Sequence, residues 1–114
     1  MIYLVQPRFY PKSIQKQIQS HLQAKKQHLH LSHNDTIKIE PHNSYFIIND
    51  TRKKHWNGLN TAKQIRSKDP KGNLILISND LDYTTFFRYH LSFLDIIDLN
   101  NPNQLAECID YITS

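Results

Sequence analysis

The chain has a single cysteine, Cys108, so no internal disulfide can form and a reducing, cytoplasmic setting is the natural expectation. No apolar run approaches the roughly 20 residues of a membrane-spanning helix. The apolar start Met1-Ile2-Tyr3-Leu4-Val5 is too short for a span or a signal peptide and reads instead as a first strand. Internal repeats and low-complexity linkers are also missing, which leaves the 114 residues as one domain with a modest core. Aromatic residues do not interleave with the cations. Lys25-Lys26 and Arg52-Lys53-Lys54 concentrate a net charge of +4 without a stacking platform, so a solvated basic face is expected and direct nucleic-acid binding is disfavoured. His28, His30 and His33 form H-x-H-x-x-H, but no cysteine or clear carboxylate completes a metal set, so solvent-facing histidines and no metal are expected.

What is present is a rhythm of strands and helices. Tyr45 to Ile48 is a continuous apolar run of the kind buried on both faces of a parallel sheet, and it ends in Asn49-Asp50. Open α/β sheets place ligands at the carboxyl ends of their strands, which makes Asp50 the first residue of interest. Before it, Ile2 to Val5 reads as a strand. A loop from Gln6 to Pro11 follows, then an amphipathic helix carrying Ile14, Ile18, His21 and Leu22 as far as Ala24. His28-Leu29-His30-Leu31 alternates like a strand with leucines inward, and Thr36 to Glu40 alternates again with no clear helix before the next strand.

After Asp50 the order is the turn Asn57-Gly58, a helix over 59–68, the turn Asp69 to Asn73 and a strand Leu74 to Ile77 ending in Ser78. A helix with Phe86, Phe87 and Tyr89, a strand Phe93 to Ile97 and a last helix complete the chain. Asn101-Pro102 is read as the start of that last helix, whose stripe is Leu105, Cys108, Ile109 and Ile112. Cys108 on that stripe is expected to be a buried, inert thiol. Trp56, just before the Asn57-Gly58 turn, reads equally as an exposed anchor or as a cover folded onto its own loop.

This order, with FIIND followed eight residues after Asp50 by Gly58, resembles the receiver domain of bacterial response regulators. From Tyr45 to Ser114 the chain is similar to a narrower group, the AgrA/ComE (LytTR-type) regulators of peptide quorum sensing. IRSKDPKGNLILIS and FRYHLSFLDIIDLNNPNQL parallel that group's IR-x-x-DP-x-x-x-I-I-F-I-T and F-x-Y-x-V-x-A-x-D-F-I-x-K-x-x-P-x-x-L. The resemblance implies a flavodoxin-like (βα)5 fold, a five-stranded parallel sheet in the order 2-1-3-4-5; the first 44 residues match it only in outline, with a short or missing second helix. Residues 1–114 would be one receiver domain. The LytTR DNA-binding domain usual in that group does not follow Ser114, so the chain is read either as part of a longer regulator or as a stand-alone domain.

The resemblance also implies a damaged site. In receivers an aspartate accepts a phosphoryl group, magnesium is held with help from two acidic residues after the first strand, and a Ser or Thr and a Lys contact the product. Here Gln6 and Pro7 stand for the acidic pair, Leu99 for the Lys, and Ser78 for the hydroxyl residue. The ungapped register makes Asp50 the acceptor, while the narrower group's spacing makes it Asn49. Losing even one such electrostatic contact can cost about 3 to 4 kcal/mol in a transition state. A pseudo-receiver that works in transcriptional control by protein contact is expected, with no catalytic residue and no cofactor. Arg52 reads as a solvated cation, or else as a partner for Asp50. The expected interaction surface is Tyr83, Phe87, Arg88, Tyr89 and His90. It would support a homodimer through the helix that holds Phe86, the fifth strand and the last helix, or docking of a histidine kinase or a LytTR-type regulator. Phosphotransfer from a cognate kinase to Asp50, and a basic nucleic-acid module, are the alternatives.

Overall fold

A computed structural model describes residues 1–35 and 37–114. Its core is a five-stranded, wholly parallel sheet in the order β2-β1-β3-β4-β5. The strands are β1 (Ile2–Val5), β2 (Leu29–Ser32), β3 (Ser44–Asn49), β4 (Asn73–Ser78) and β5 (Asp95–Asp98), and the helices are α1 (Ser13–Ala24), α2 (Gly58–Lys68), α3 (Tyr83–Arg88) and α4 (Leu105–Thr113). The expected strand order is therefore observed, and no helix lies between β2 and β3 among the described residues. Among the described residues no helix is long and apolar enough to cross a membrane.

The continuous apolar runs are strands because both sides of the sheet are covered. Tyr45 to Ile48 and Leu74 to Ile77 have no solvent exposure. Alternation sends Phe46, Ile48, Ile75 and Ile77 to a core shared with Ile14, Ile18 and Leu22 of α1 and with Leu105 and Ile109 of α4. Tyr45, Ile47, Leu74 and Leu76 go to the opposite core, with Leu59, Ala62 and Ile65 of α2 and with Phe86. Each such isoleucine or leucine contributes about 1.5–3 kcal/mol by leaving water. Asn57 caps α2, its side chain accepting the Asn60 N–H at 3.1 Å, so the Asn57-Gly58 turn is also the helix start.

Several expectations need correction. Leu29 packs against the α1 core, but Leu31 is 42% exposed because β2 is an edge strand with nothing beyond it. Residues 37–40 form no strand, since Tyr3 takes up that segment instead: the Lys38 N–H donates to the Tyr3 hydroxyl at 3.0 Å. Thr36, the first residue of that alternating stretch, lies outside the described residues. β5 begins at Asp95, paired with Ile75, rather than at Phe93, whose ring joins the α2-side core from the preceding loop. Tyr89 follows α3 instead of belonging to it, and His90 and Ser92 turn the chain with left-handed φ values of 53° and 54°. The last helix starts at Leu105, not at Asn101-Pro102. There the Leu105 N–H closes a tight turn on the Pro102 C=O at 3.2 Å, and the helical bonding begins with Cys108 N–H to Gln104 C=O.

The amino-terminal end of the sheet is closed by a polar lattice. Tyr45 donates to the buried Asp69 Oδ2 at 2.7 Å and accepts from Asn43 Nδ2 at 2.9 Å. Arg66 spreads its guanidinium over backbone carbonyls, reaching Leu91 at 3.1 Å, Pro70 at 3.0 Å and Gly72 at 2.7 Å, with longer bonds to Asp69 and Ser92. The segment IRSKDP therefore ties the end of α2 to the 69–73 turn and to the loop before β5.

Candidate functional site

The other end of the sheet carries the chemistry. The alternation of β3, continued past its end, puts Asn49 on the α2 side and Asp50 on the α1 and α4 side. Asp50 is 3% exposed and its carboxylate is fully engaged. Oδ1 accepts from the Arg52 backbone N–H at 3.0 Å and from Arg52 Nε at 2.9 Å, while Oδ2 accepts from Arg52 Nη2 at 2.9 Å and from the Tyr10 hydroxyl at 2.8 Å. Arg52 is thus not a solvated cation. It forks Asp50 in bidentate geometry, even though 66% of its own side chain faces solvent. The hydrogen bonds from Arg52, partly opposed by burial and reinforced by Tyr10, lower the Asp50 carboxyl to about 2. Burial, and then the neighbouring carboxylate, push the Tyr10 phenol upward.

Beside this triad lies a cleft of about 570 Å³, bounded by Tyr10, Ser13, Asp50, Lys53, Leu99 and Pro102 among others. Leu99, expected where receivers carry Lys, lines the same cleft as Asp50 with an apolar side chain. Tyr10 was not legible as a site residue. It reaches Asp50 across 40 positions of sequence, and the only hint was an aromatic residue ahead of Pro11 in a loop after the first strand.

Asn49 and Ser78 form a separate pair on the other side of the sheet end. They are register partners in β3 and β4, and Asn49 Nδ2 donates to Ser78 Oγ at 3.0 Å. The Ser78 hydroxyl donates to the Asp80 C=O at 2.6 Å and accepts the Asp80 N–H at 3.1 Å, so its hydrogen-bonding capacity is used locally. The expected pocket residues are therefore split, with Asp50 beside Leu99 and Asn49 beside Ser78. Asn79, not singled out in the sequence, holds the following loop by accepting the Thr51 N–H at 3.0 Å and donating to the Thr51 hydroxyl at 2.9 Å.

Gln6 and Pro7 belong to neither pair. Gln6 is buried, its C=O meets His33 Nδ1 at 2.8 Å, and its side-chain Oε1 has no hydrogen-bond partner among the described residues. Pro7 lines a second cleft, of about 410 Å³, with Arg8, His33 and residues 53–56. Trp56 is a cover rather than an exposed anchor. It is half-buried, and its indole N–H donates to the Ile48 C=O at 2.7 Å. Gly58 explains how the loop can close so tightly, because a Cβ there would stand 2.4 Å from the Ile48 carbonyl oxygen.

These residues do not fit a magnesium ion. A hard dication requires several oxygen ligands, usually with carboxylates among them. Gln6 offers one neutral oxygen, Pro7 none, and both Asp50 oxygens already face a guanidinium. No group of three or more His, Cys, Asp or Glu among the described residues is arranged to hold a metal, and His28 and His30 are exposed. His30 lies against Tyr3, with ring centroids 5.6 Å apart. Cys108 is buried and its thiol is pushed up to about 12, mainly by that burial, which suits a structural role.

On a third side, Tyr83, Phe87 and His90 border a cleft of about 520 Å³ with Leu91, Phe93 and Leu94. Phe86 fills the core and Phe93 is partly buried, whereas Phe87 is 74% exposed and Tyr83 48%. Arg88 and Tyr89 sit beside them on the surface.

No protein-family model matches the chain, and no curated protein sequence does. Solved structures do match its fold. The receiver domain of NtrX from Brucella abortus superposes with a TM-score of 0.70 at 14% identity, over 99% of this chain and 98% of that one. A CheY-like response regulator receiver domain from Methanospirillum hungatei gives 0.69 at 12% identity, over 98% and 91%. A response regulator from Thermotoga maritima gives 0.66 at 16%, over 98% and 95%. The chain has the receiver fold.

Proposed function

We propose that this is a pseudo-receiver, a signalling domain that works by protein contact and not by magnesium-dependent phosphorylation. The observation that carries this reading is the Asp50 carboxylate. An acceptor needs a free oxygen beside a metal, and here an arginine fork and a tyrosine hydroxyl use both oxygens. Leu99 gives no charge in place of Lys, and Ser78 is spent on Asn49 and Asp80. The domain is not an enzyme. The resemblance of the segment from Tyr45 to Ser114 to AgrA/ComE regulators supports a role in transcriptional control of the LytTR type, in the cytoplasm.

The contact surface of this reading is the face of Phe87, Tyr83, Arg88, Tyr89 and His90. Exposed aromatic rings beside a cleft and rimmed by cationic or polar groups are the composition of interface hot spots. A second copy of the chain is the expected occupant, with a histidine kinase or a LytTR-type regulator as the competing one. Incubation with acetyl phosphate and magnesium, followed by intact-mass analysis, is expected to add no phosphoryl group. Stoichiometric addition that disappears in Asp50→Ala would overturn the reading in favour of a phosphoacceptor. In sedimentation, a dimer that ignores magnesium and phosphoryl donors is expected, and Phe87→Ala should shift it to folded monomer.

A further inference from the structure

The cleft at the junction of β1, β2 and β3 shares only Lys53 with the cleft beside Asp50 and lies apart from the contact face. In the order β2-β1-β3 the chain leaves β1 for one side of the sheet and later returns to the other, which makes the carboxyl end of β1 the topological switch point. Loops after all three strands meet there: Pro7 and Arg8 after β1, His33 after β2, and Lys53 to Trp56 after β3. At about 410 Å³ it lies within the range of small-ligand sites.

Its charge is one-sided. Arg8 is held by Asp35 at 3.1 Å; Lys53 Nζ lies over the Tyr10 ring, 5.7 Å from its centre, and no ion pair occupies Lys53 or Lys54 among the described residues. The lysines are not on a loose loop, since the Lys53 N–H bonds the Asp50 C=O at 3.1 Å and the Trp56 N–H bonds the Lys53 C=O at 3.3 Å. His33 is fixed as well. A carbonyl only accepts, so Nδ1 donates its hydrogen to Gln6, and Nε2 is the ring nitrogen that Gln6 does not engage. Trp56 brings the one indole of the chain to the same wall, held at its N–H by Ile48.

We propose that this cleft binds a mononucleotide-sized phosphate ester, with Lys53 and Lys54 taking the phosphate oxygens and Trp56 lying against the flat ring. Ammonium groups without a carboxylate partner, beside an aromatic wall, match a ligand that joins an anion to a planar base. This goes beyond the contact reading and stands on other residues. A ligand would give the domain an input that requires no phosphoryl transfer to Asp50.

The test titrates ADP, pyrophosphate and adenosine into the wild-type chain by calorimetry, with Trp56 fluorescence as a second signal. ADP is expected to bind more tightly than pyrophosphate, and adenosine not at all. The double variant Lys53→Gln/Lys54→Gln should weaken ADP ~10-fold or more, by loss of two charge-assisted contacts. Lys71→Gln, in the turn at the opposite end of the sheet, should leave it unchanged. Absence of binding by ADP and pyrophosphate up to roughly 10 mM would overturn the proposal. So would equal ADP affinity in the double variant. A single-stranded oligonucleotide that binds more tightly than ADP and is lost in the same variant would overturn it as well, assigning the cleft to nucleic acid.

Discussion

The sheet carries a buried aspartate at each end, and each accepts a hydrogen bond from a tyrosine: Asp69 from Tyr45 at 2.7 Å and Asp50 from Tyr10 at 2.8 Å. The arginines differ. At the amino end Arg66 donates to backbone carbonyls of the 69–73 turn and of the loop before β5, with Asn43 bonded to Tyr45 in the same lattice. At the carboxyl end Arg52 donates to the carboxylate itself, and a cleft stays open next to it. The first arrangement spends its charge on holding the fold. The second spends its charge on a single buried carboxylate beside an open cleft.

The largest effect that this contrast predicts is at Arg66. Arg66→Ala removes a fork that several carbonyls share and should lower the unfolding free energy in urea by about 2–4 kcal/mol. Arg66→Lys should recover less than half of it, because a point charge cannot reproduce the planar fork. A loss no larger than for a surface lysine would mean that the lattice is not structural.

Next come the tyrosines. Tyr45→Phe strips the buried Asp69 of its phenolic donor and Asn43 of an acceptor, and should cost ~1–3 kcal/mol. Tyr10→Phe should cost only ~0.5–1 kcal/mol, since Arg52 still satisfies Asp50. Equal costs would break the comparison.

A pH-dependent effect is expected at Asp50. Because the folded Asp50 carboxyl is lowered to about 2 from an ordinary 3.8, its contribution is complete above the ordinary value and is lost as pH falls through about 2. The stability gap between wild type and Asp50→Asn should therefore shrink by ~1–2 kcal/mol across that window, a modest figure because Arg52 faces solvent. A gap that stays constant in acid would mean the pair is not formed in solution.

The sheet was legible because runs such as FII and LILI have no plausible place except between two covering layers. The misreadings came where apolar character and backbone pairing part company. Phe93 is apolar but packs from a loop, while Asp95 and Asp98 are polar but stand in the ladder. Asn101-Pro102 has the residues of a helix cap, but the chain uses them for a turn that precedes the helix. At the site, Asp50 could be read from its place at the end of an apolar run, while Gln6, Pro7 and Leu99 were singled out only by the resemblance to receivers; Leu99 lines the Asp50 cleft and Gln6 and Pro7 do not. Tyr10 could not, since its meeting with Asp50 depends on how α1 sits against the sheet. Arg52, two residues from Asp50, was within reach of local reasoning, but exposed arginines so often point to water that its pairing had no sequence signal of its own.

The crossover without a helix, from β2 to β3, bears on how the domain breathes. β2 is four residues long, has a strand on one side only, and leaves Leu31 partly in solvent. Detaching it exposes little apolar surface, whereas opening β3 would breach both cores at once. Amide protection should therefore rise stepwise from β2 through β1 to β3, and His33, which follows β2, rides on the part of the sheet that opens most readily.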